Sequence, residues 1–423
     1  VILSGASTQP SVHLRGSVRA WLPEPAPQGP AGGLQAAPER SRLAGLSPYW
    51  GSLHTHSAYS AEETCALPDA IFDLGRATGN DFLALTDHDI GLRNPALACS
   101  MGTEPDKWRL LQESAERNNE NGRFVTLAGY EWTHDFTHNG QSIECHINII
   151  NSRTLDSAST LSALFDWLAA QPEREQIIAQ FNHPVKAEAD LIAARTSPAQ
   201  RAAVRPIFRT IEVTLGAAPD AYAPFLRQGW QVGAVGRCDS HTSATIERPR
   251  TVGLWAEELT RAAVVDAVLA RRTFSATPPP DGSSPTIAVA LRANGAWMGE
   301  TVNASAFSFE LLARDPAHPL KSVQLMAGPT KSGSAGLLHE FPVAPATHEL
   351  LTIWQYTPPD PSQYAFYYLR AYALDSQGRE YLAAQSAPVF VAYDPNAPTA
   401  TATPSLTPSP VPSVSPTAGT TPT

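Results

Sequence analysis

A chain of 423 residues exceeds one typical domain, so two domains with appended segments are expected. A hydrophobic share of 43% supports a large buried core, and a formal net charge of −10 argues against nucleic acid as a main partner, because phosphate backbones are bound by basic surface. No uninterrupted apolar stretch approaches the ~20 residues of a membrane helix, so no transmembrane segment is expected in this chain.

Residue 1 is Val rather than Met, which reads as a processed or truncated start; a removed export signal would leave no trace. Residues 1–49 read as an N-terminal segment with a Pro/Gly/Ala-rich linker at 23–38. Across 50–280 strand-like and helix-like segments alternate. The strand candidates are 81–86, 124–131, 146–150, 177–182, 210–214 and 231–235; the helical patterns are 67–78, 108–121, 161–170, 188–203, 222–228 and 261–270. Such alternation implies a parallel sheet or barrel, in which chemistry gathers at the carboxyl ends of the strands. Across 285–393 the texture changes. Segments 286–292, 307–313, 322–327, 349–355, 365–374 and 387–391 read as strands between turn residues, which suggests a small β-sandwich. Residues 394–423 are almost wholly Thr, Pro, Ser and Ala. They carry too little apolar surface to offset their conformational entropy, so a disordered stalk-like tail is expected. The tail stops mid-pattern at Thr423, which suggests a further anchor or domain beyond it, an extracellular or cell-surface location, and a tether through the tail.

Of the four cysteines none forms a CxxC pair, so a cysteine zinc knuckle is not expected. Cys145 and Cys238 each precede a candidate ligand. Adjacent strand residues point to opposite faces, so these two read as buried free thiols. A Cys65–Cys99 disulfide is left open.

The segment Trp50-Gly51-Ser52-Leu53-His54-Thr55-His56-Ser57 carries two histidines one residue apart. Thr86-Asp87-His88-Asp89 closes a later apolar run, and Gly129-Tyr130-Glu131 closes the next. His146, Asn182-His183-Pro184 and Cys238-Asp239-Ser240-His241 complete the series. Imidazole nitrogens and carboxylate oxygens at successive strand ends suit zinc, manganese or iron. Neither an HxH nor a TDH triplet alone would specify a metal; the ordered series does. His134 and His138, in the loop expected after Glu131, and Arg237 and Lys186, beside candidate ligands, are candidate substrate contacts. Glu212 ends another strand as a candidate supporting residue. There is no GxSxG elbow, GxxxxGK[ST] loop or strand-associated GxGxxG, so serine-hydrolase and nucleotide-binding chemistries have no anchor.

In order and context these motifs resemble the polymerase-and-histidinol-phosphatase (PHP) superfamily of metallohydrolases, from about residue 50 to 277. The resemblance implies a distorted, TIM-like (β/α)7 barrel holding two or three divalent ions (Zn, Mn or Fe). It implies that His54, His56, Glu131 and Asp239 hold one ion, that Glu131 bridges to a second ion held by His146 and His183, and that His88 and His241 hold a third with help from the HxH loop. After the second histidine the family often has an Asp ligand, or a His one position later; this chain has Ala61, which cannot coordinate, and then Glu62, the candidate substitute. Arg271-Arg272-Thr273-Phe274-Ser275-Ala276-Thr277, Met298-Gly299-Glu300 and Gln385-Ser386-Ala387-Pro388-Val389-Phe390-Val391 resemble the appended β-domain of the carbaryl-hydrolase-like branch.

The expected function is therefore metal-dependent hydrolysis with metal-activated hydroxide, with Glu131, Asp239 and His241 as catalytic residues. A small phosphoester is the first expected substrate; a carbamate, ester or amide at the same centre is the alternative. A surface-displayed protein that binds without turnover is the alternative from another class.

Overall fold

The computed structural model describes residues 45–60, 64–213, 221–241, 250–329 and 335–393. Glu62 and the tail 394–423 lie outside these residues, as does the linker.

The site-bearing part starts with β1 (Ser47–Ser52), α1 (Pro68–Ala77), β2 (Phe82–His88) and the short α2 (Asp89–Arg93). It continues through α3 (Lys107–Asn118), β3 (Val125–His138), β4 (Gln141–Ile150), α4 (Leu161–Ala170), β5 (Ile178–Phe181), α5 (Glu188–Arg195) and α6 (Pro198–Val204). It ends with β6 (Phe208–Val213), α7 (Tyr222–Arg227), β7 (Gly233–Gly236), β8 (Val252–Ala256), α8 (Arg261–Leu269) and β9 (Thr273–Ala276). Proline opens α1, whose Ile71 and Phe72 are fully buried. The single helix expected over 188–203 is two, because Ser197 caps a new helix with Pro198 at its first turn.

β10 (Ala288–Ala293), β11 (Ala296–Trp297), β12 (Thr301–Val302), β13 (Phe307–Arg314), β14 (Leu320–Pro329) and β15 (Gly336–Pro342) follow. β16 (Glu349–Tyr356), β17 (Tyr364–Leu374), β18 (Glu380–Ser386) and β19 (Val389–Val391) complete the order. A four-stranded sheet, β11-β10-β13-β16, shares one apolar core with β14, β17 and β18, through residues such as Phe309, Leu311, Leu325, Leu369 and Ala384. β18 pairs antiparallel with β9, so one hydrogen-bonded sheet runs from β12 through β19, β17, β18, β9, β8, β1, β2, β3, β4, β5 and β6 to β7.

The chain is thus a strand-rich α/β protein with a large mixed sheet. The expected parallel barrel is corrected on two points. Among the described residues the sheet does not close. The Gly236 carbonyl accepts from the Thr251 hydroxyl at 3.2 Å, while the Thr251 carbonyl accepts from Ala276 N at 2.7 Å, so no backbone ladder joins β7 to β8 or β9. Strand directions are also mixed: β1–β2, β2–β3, β5–β6 and β6–β7 are parallel, whereas β3–β4, β4–β5 and β1–β8 are antiparallel.

The antiparallel pair has a local cause. Asn139 (φ 49°) and Gly140 (φ 76°) both adopt the left-handed region, as a two-residue hairpin turn requires. The segment expected as a loop after Glu131 is therefore the arm of a hairpin, with His138 opposite Gln141.

Cys65 and Cys99 form a disulfide, with Cα atoms 5.6 Å apart. Cys145 is free and buried, and Cys238 is free and partly buried. Glu188, in the first turn of α5, is wholly buried against the Cys145 thiol, and its burial raises the carboxyl pKa well above the usual range. A carboxyl whose pKa is raised in the folded state makes folding more favourable at low pH, and the loss sets in as pH rises past the unfolded value of ~4.3. Glu188→Gln is therefore expected to raise the melting temperature by ~2–4 °C at pH 8 and to change it less at pH 4, read by calorimetry. An equal shift at both pH values would show that the carboxyl does not titrate across folding.

Candidate metal centre

Glu131 is the geometric centre of the site. It lies on β3 with no exposed surface, between β2 and β4. The parallel register sets His88 beside Glu131, and the antiparallel register sets Asn148 opposite Glu131 and His146 opposite Thr133. Residues 131, 133 and 135 share one strand face, so Glu131 and His146 meet diagonally. Glu131 Oε1 lies 3.2 Å from His54 Nε2, 3.3 Å from His146 Nδ1 and 3.5 Å from His183 Nε2. Its Oε2 lies 2.8 Å from His88 Nδ1 and 3.6 Å from His56 Nε2.

The HxH segment follows β1 and is stitched to two neighbours. Thr86 N donates to the Thr55 carbonyl at 2.8 Å, His56 N to that of Ser240 at 3.0 Å, and Asp239 N to that of His54 at 3.1 Å. These bonds bring Asp239 Oδ1 to 3.4 Å from both His54 Nε2 and His56 Nε2. His241 Nε2 comes to 3.4 Å from His88 Nε2. His183 (φ 31°) and Asp239 (φ 47°) are non-glycine residues in the left-handed region, a strain that surrounding contacts must hold.

Three overlapping groups result, each with ligand atoms within 4.8 Å of one another: His54/His56/Glu131, Glu131/His146/His183 and His56/His88/His241. Of the expected ligands the structure brings together His54, His56, His88, Glu131, His146, His183, Asp239 and His241. Glu62 lies outside the described residues, and in the third group it is His56 that joins His88 and His241.

The residues behind the ligands fix which nitrogen faces inward. His54 Nδ1 donates to Glu212 Oε1 at 3.0 Å, leaving Nε2 towards Glu131. Glu212 Oε2 also accepts from His183 N at 2.7 Å. Ser60 donates to buried Asp87 at 2.8 Å and so accepts from His56 Nδ1 at 2.9 Å, which leaves His56 Nε2 facing the cluster. Asp87 also takes Ser57 N and Ser57 Oγ, at 2.6 and 2.7 Å. Asn182 Nδ2 donates to Glu131 Oε1 at 2.7 Å and to Asn148 Oδ1 at 2.8 Å. Sequence reasoning anticipated Glu212 but not Ser60, Asp87, Asn148 or Asn182. Asp87 and Asn182 stood inside the quoted motifs, beside His88 and His183, but they support His56 and Glu131 instead.

The electrostatics follow from this packing. Burial raises the Glu131 pKa, but His54, His146 and His183 outweigh it and hold the carboxylate well below its usual range. Burial lowers His54, but Glu131 and Glu212 outweigh it and raise its pKa well above the ordinary value. Burial dominates at His56, which falls to about 3. Asp239 is held far below its usual value: burial opposes this, and the His56 hydrogen bond and the His54 charge prevail.

The donor set fits divalent ions. His54 Nε2 faces His56 Nε2 at 3.1 Å, as His88 Nε2 faces His241 Nε2 at 3.4 Å. In each pair only one nitrogen can donate to the other, and a shared cation satisfies both lone pairs.

The expected substrate contacts divide. Arg237 donates to Asp239 Oδ2 at 2.7 Å and is 46% exposed, so it stands at the mouth. Lys186 is exposed, three residues beyond His183. His134 lies on the strand face opposite Glu131, its ring tilted against Trp132 with centroids 4.2 Å apart. His138 shares that register, at the hairpin tip. Both are displaced because the segment is a strand, in which every second residue turns away from the site.

A family described as a protein of unknown function (DUF3604) matches residues 78–183, which carry His88, Glu131, His146 and His183. No curated protein matches the chain. Among solved structures, a Bifidobacterium adolescentis protein described as a candidate metal-dependent phosphoesterase aligns at 14% identity and a TM-score of 0.29, over 51% of this chain and 94% of its own. An engineered protein aligns at 12% identity and a TM-score of 0.19, over 74% of this chain and 49% of its own. Neither similarity reaches the carbaryl-hydrolase-like branch.

Replacing Glu131 by Gln is expected to remove at least one ion per chain from zinc- or manganese-loaded protein, measured by elemental analysis. Unchanged metal content would exclude the carboxylate as a ligand.

Proposed function

We propose that this chain is a metal-dependent phosphoesterase of the PHP type, with residues 50–280 housing the metal centre and 285–393 an appended β-domain. The observation that carries the reading is the convergence of His54, His56, His146 and His183 on one buried, ionised carboxylate, Glu131, with Asp239 alongside. Surface histidines have no cause to gather so, and a buried carboxylate without compensation is costly.

Divalent ions at these groups would supply Lewis acidity and bring the pKa of water from ~15.7 towards ~7. The chain's residues supply the rest. Glu131 belongs to both the His54/His56 and the His146/His183 groups and would be the ligand they share. Asp239, kept ionised, can orient an incoming water by accepting its hydrogen bond. Arg237 neutralises the outer oxygen of Asp239 and can turn to an anionic substrate group, for which its planar fork is suited. The His241 side chain is 28% exposed, more than those of the other histidines around Glu131, and would protonate a leaving oxygen only where it is not committed to an ion.

The Cys65–Cys99 disulfide supports an exported location, since such bonds persist in oxidising compartments. Among the described residues no helix is long and apolar enough to cross a membrane.

Metal-loaded protein should hydrolyse aryl phosphates, and His54→Ala should lower kcat/KM by ~10³-fold or more. Arg237→Gln should raise KM for a phosphomonoester by about tenfold with a smaller change in kcat. Turnover confined to aryl carbamates or esters would overturn the phosphoesterase reading in favour of that alternative. Loaded protein inert towards all of them would favour the surface-displayed binding role.

A further inference from the structure

The two ion groups that share Glu131 are backed in different ways. Behind the first, His54 rests on the buried carboxylate of Glu212 at 3.0 Å, and His56 on the buried Ser60–Asp87 pair. Behind the second, Glu212 holds only the backbone of His183, and the two imidazoles are backed from the β3–β4 hairpin. Asp135 Oδ1 lies 3.5 Å from His146 Nε2, and Glu144 Oε2 lies 3.8 Å from His183 Nδ1. In both rings the opposite nitrogen faces Glu131. The Asp135 and Glu144 side chains are 64% and 69% exposed, and the two residues are direct cross-strand partners. Like charges directly opposite destabilise a hairpin, so their placement has a cost that their reach towards the two histidines offsets.

The geometry points to Asp135 and Glu144 as positioning residues of the Glu131/His146/His183 group, and to ordered loading in which the His54/His56/Glu131 group fills first and this second group holds its ion more weakly. The inference rests on the metallohydrolase reading. Outer acceptors select the ring tautomer and orientation of a histidine ligand, and their loss typically weakens metal binding ~10–100-fold. Exposed charges at 3.5–3.8 Å are screened by solvent, whereas the buried Glu212 contact is not. The imidazoles of the first group are thus held by a rigid interior and those of the second by a surface arm.

Titration of chelator-stripped full-length protein with Mn²⁺, followed by calorimetry and by the free-ion electron paramagnetic resonance signal, tests this. Wild type should bind in two separable steps. Asp135→Ala and Glu144→Ala should each weaken the second step by ~10–100-fold and leave the first unchanged. Asp135→Asn keeps an acceptor oxygen and should weaken it less than Asp135→Ala. Both residues are exposed, so truncation leaves the core intact. A single binding step, equal weakening of both steps, no weakening, or equal effects of Asn and Ala at 135 would overturn the inference. Wild type that binds no Mn²⁺ would overturn the metallohydrolase reading with it.

Discussion

Everything around the site depends on one buried carboxylate. Glu131 has no exposed surface, yet its neighbours hold it ionised. A carboxylate in that position must be compensated from all sides, because burial without partners costs several kcal/mol. The compensation is spread over β2, β4, the segment after β1 and the turn after β5, which deliver His88, His146, His54 and His183. The same crowding explains why neighbouring imidazoles diverge. His54, between two carboxylates, is pushed up against its burial, while burial pushes His56 down to about 3.

A second layer turns this collection into a set of directed lone pairs. Glu212 serves His54 through one oxygen and the backbone of His183 through the other. Asp87 gathers Ser57 and Ser60 and, through Ser60, directs His56. Buried Lys107 of α3 donates to the carbonyls of Tyr59, Gly91 and Ala96, at 3.1, 2.9 and 2.5 Å. It thereby ties the segment after the HxH pair to the helix after His88. Gly91 permits that approach: a Cβ there would stand 2.5 Å from the Ser60 carbonyl oxygen. Ligand geometry is thus set by residues whose own positions are fixed by the interior, which gives a metal site its precision.

The hairpin is where function and fold meet most directly. Its turn is local, set by Asn139 and Gly140. Its consequence is not, because it converts an expected loop into two strands with strict alternation. One face carries Glu131, Thr133 and Asp135 towards the centre; the other carries Trp132, His134 and Phe136 into an aromatic stack. Thr133 Oγ1 comes to 2.7 Å from His88 Nδ1, so even the residue between the two carboxylates takes part.

The sequence by itself determined the ligand types, their order and their station near strand ends, because metal chemistry demands particular atoms and strand periodicity leaves a readable trace. It determined most of the strands and helices, from Phe82–His88 to Tyr364–Leu374, for the same reason. It also held the hairpin's signals: Asn139-Gly140 is a two-residue turn sequence, and Ile143, Cys145, Ile147 and Ile149 alternate with polar residues as a half-buried strand does. Only the tertiary structure decided the grouping. Whether His56 joins Glu131, His88 or both depends on register and strand direction, and these are fixed by long-range pairing. The open sheet, the exclusion of His134, the union of Cys65 with Cys99 and the approach of Asp135 and Glu144 to the second group are likewise consequences of contacts between segments far apart in the chain. Local composition does not encode them, since each depends on where another strand comes to lie.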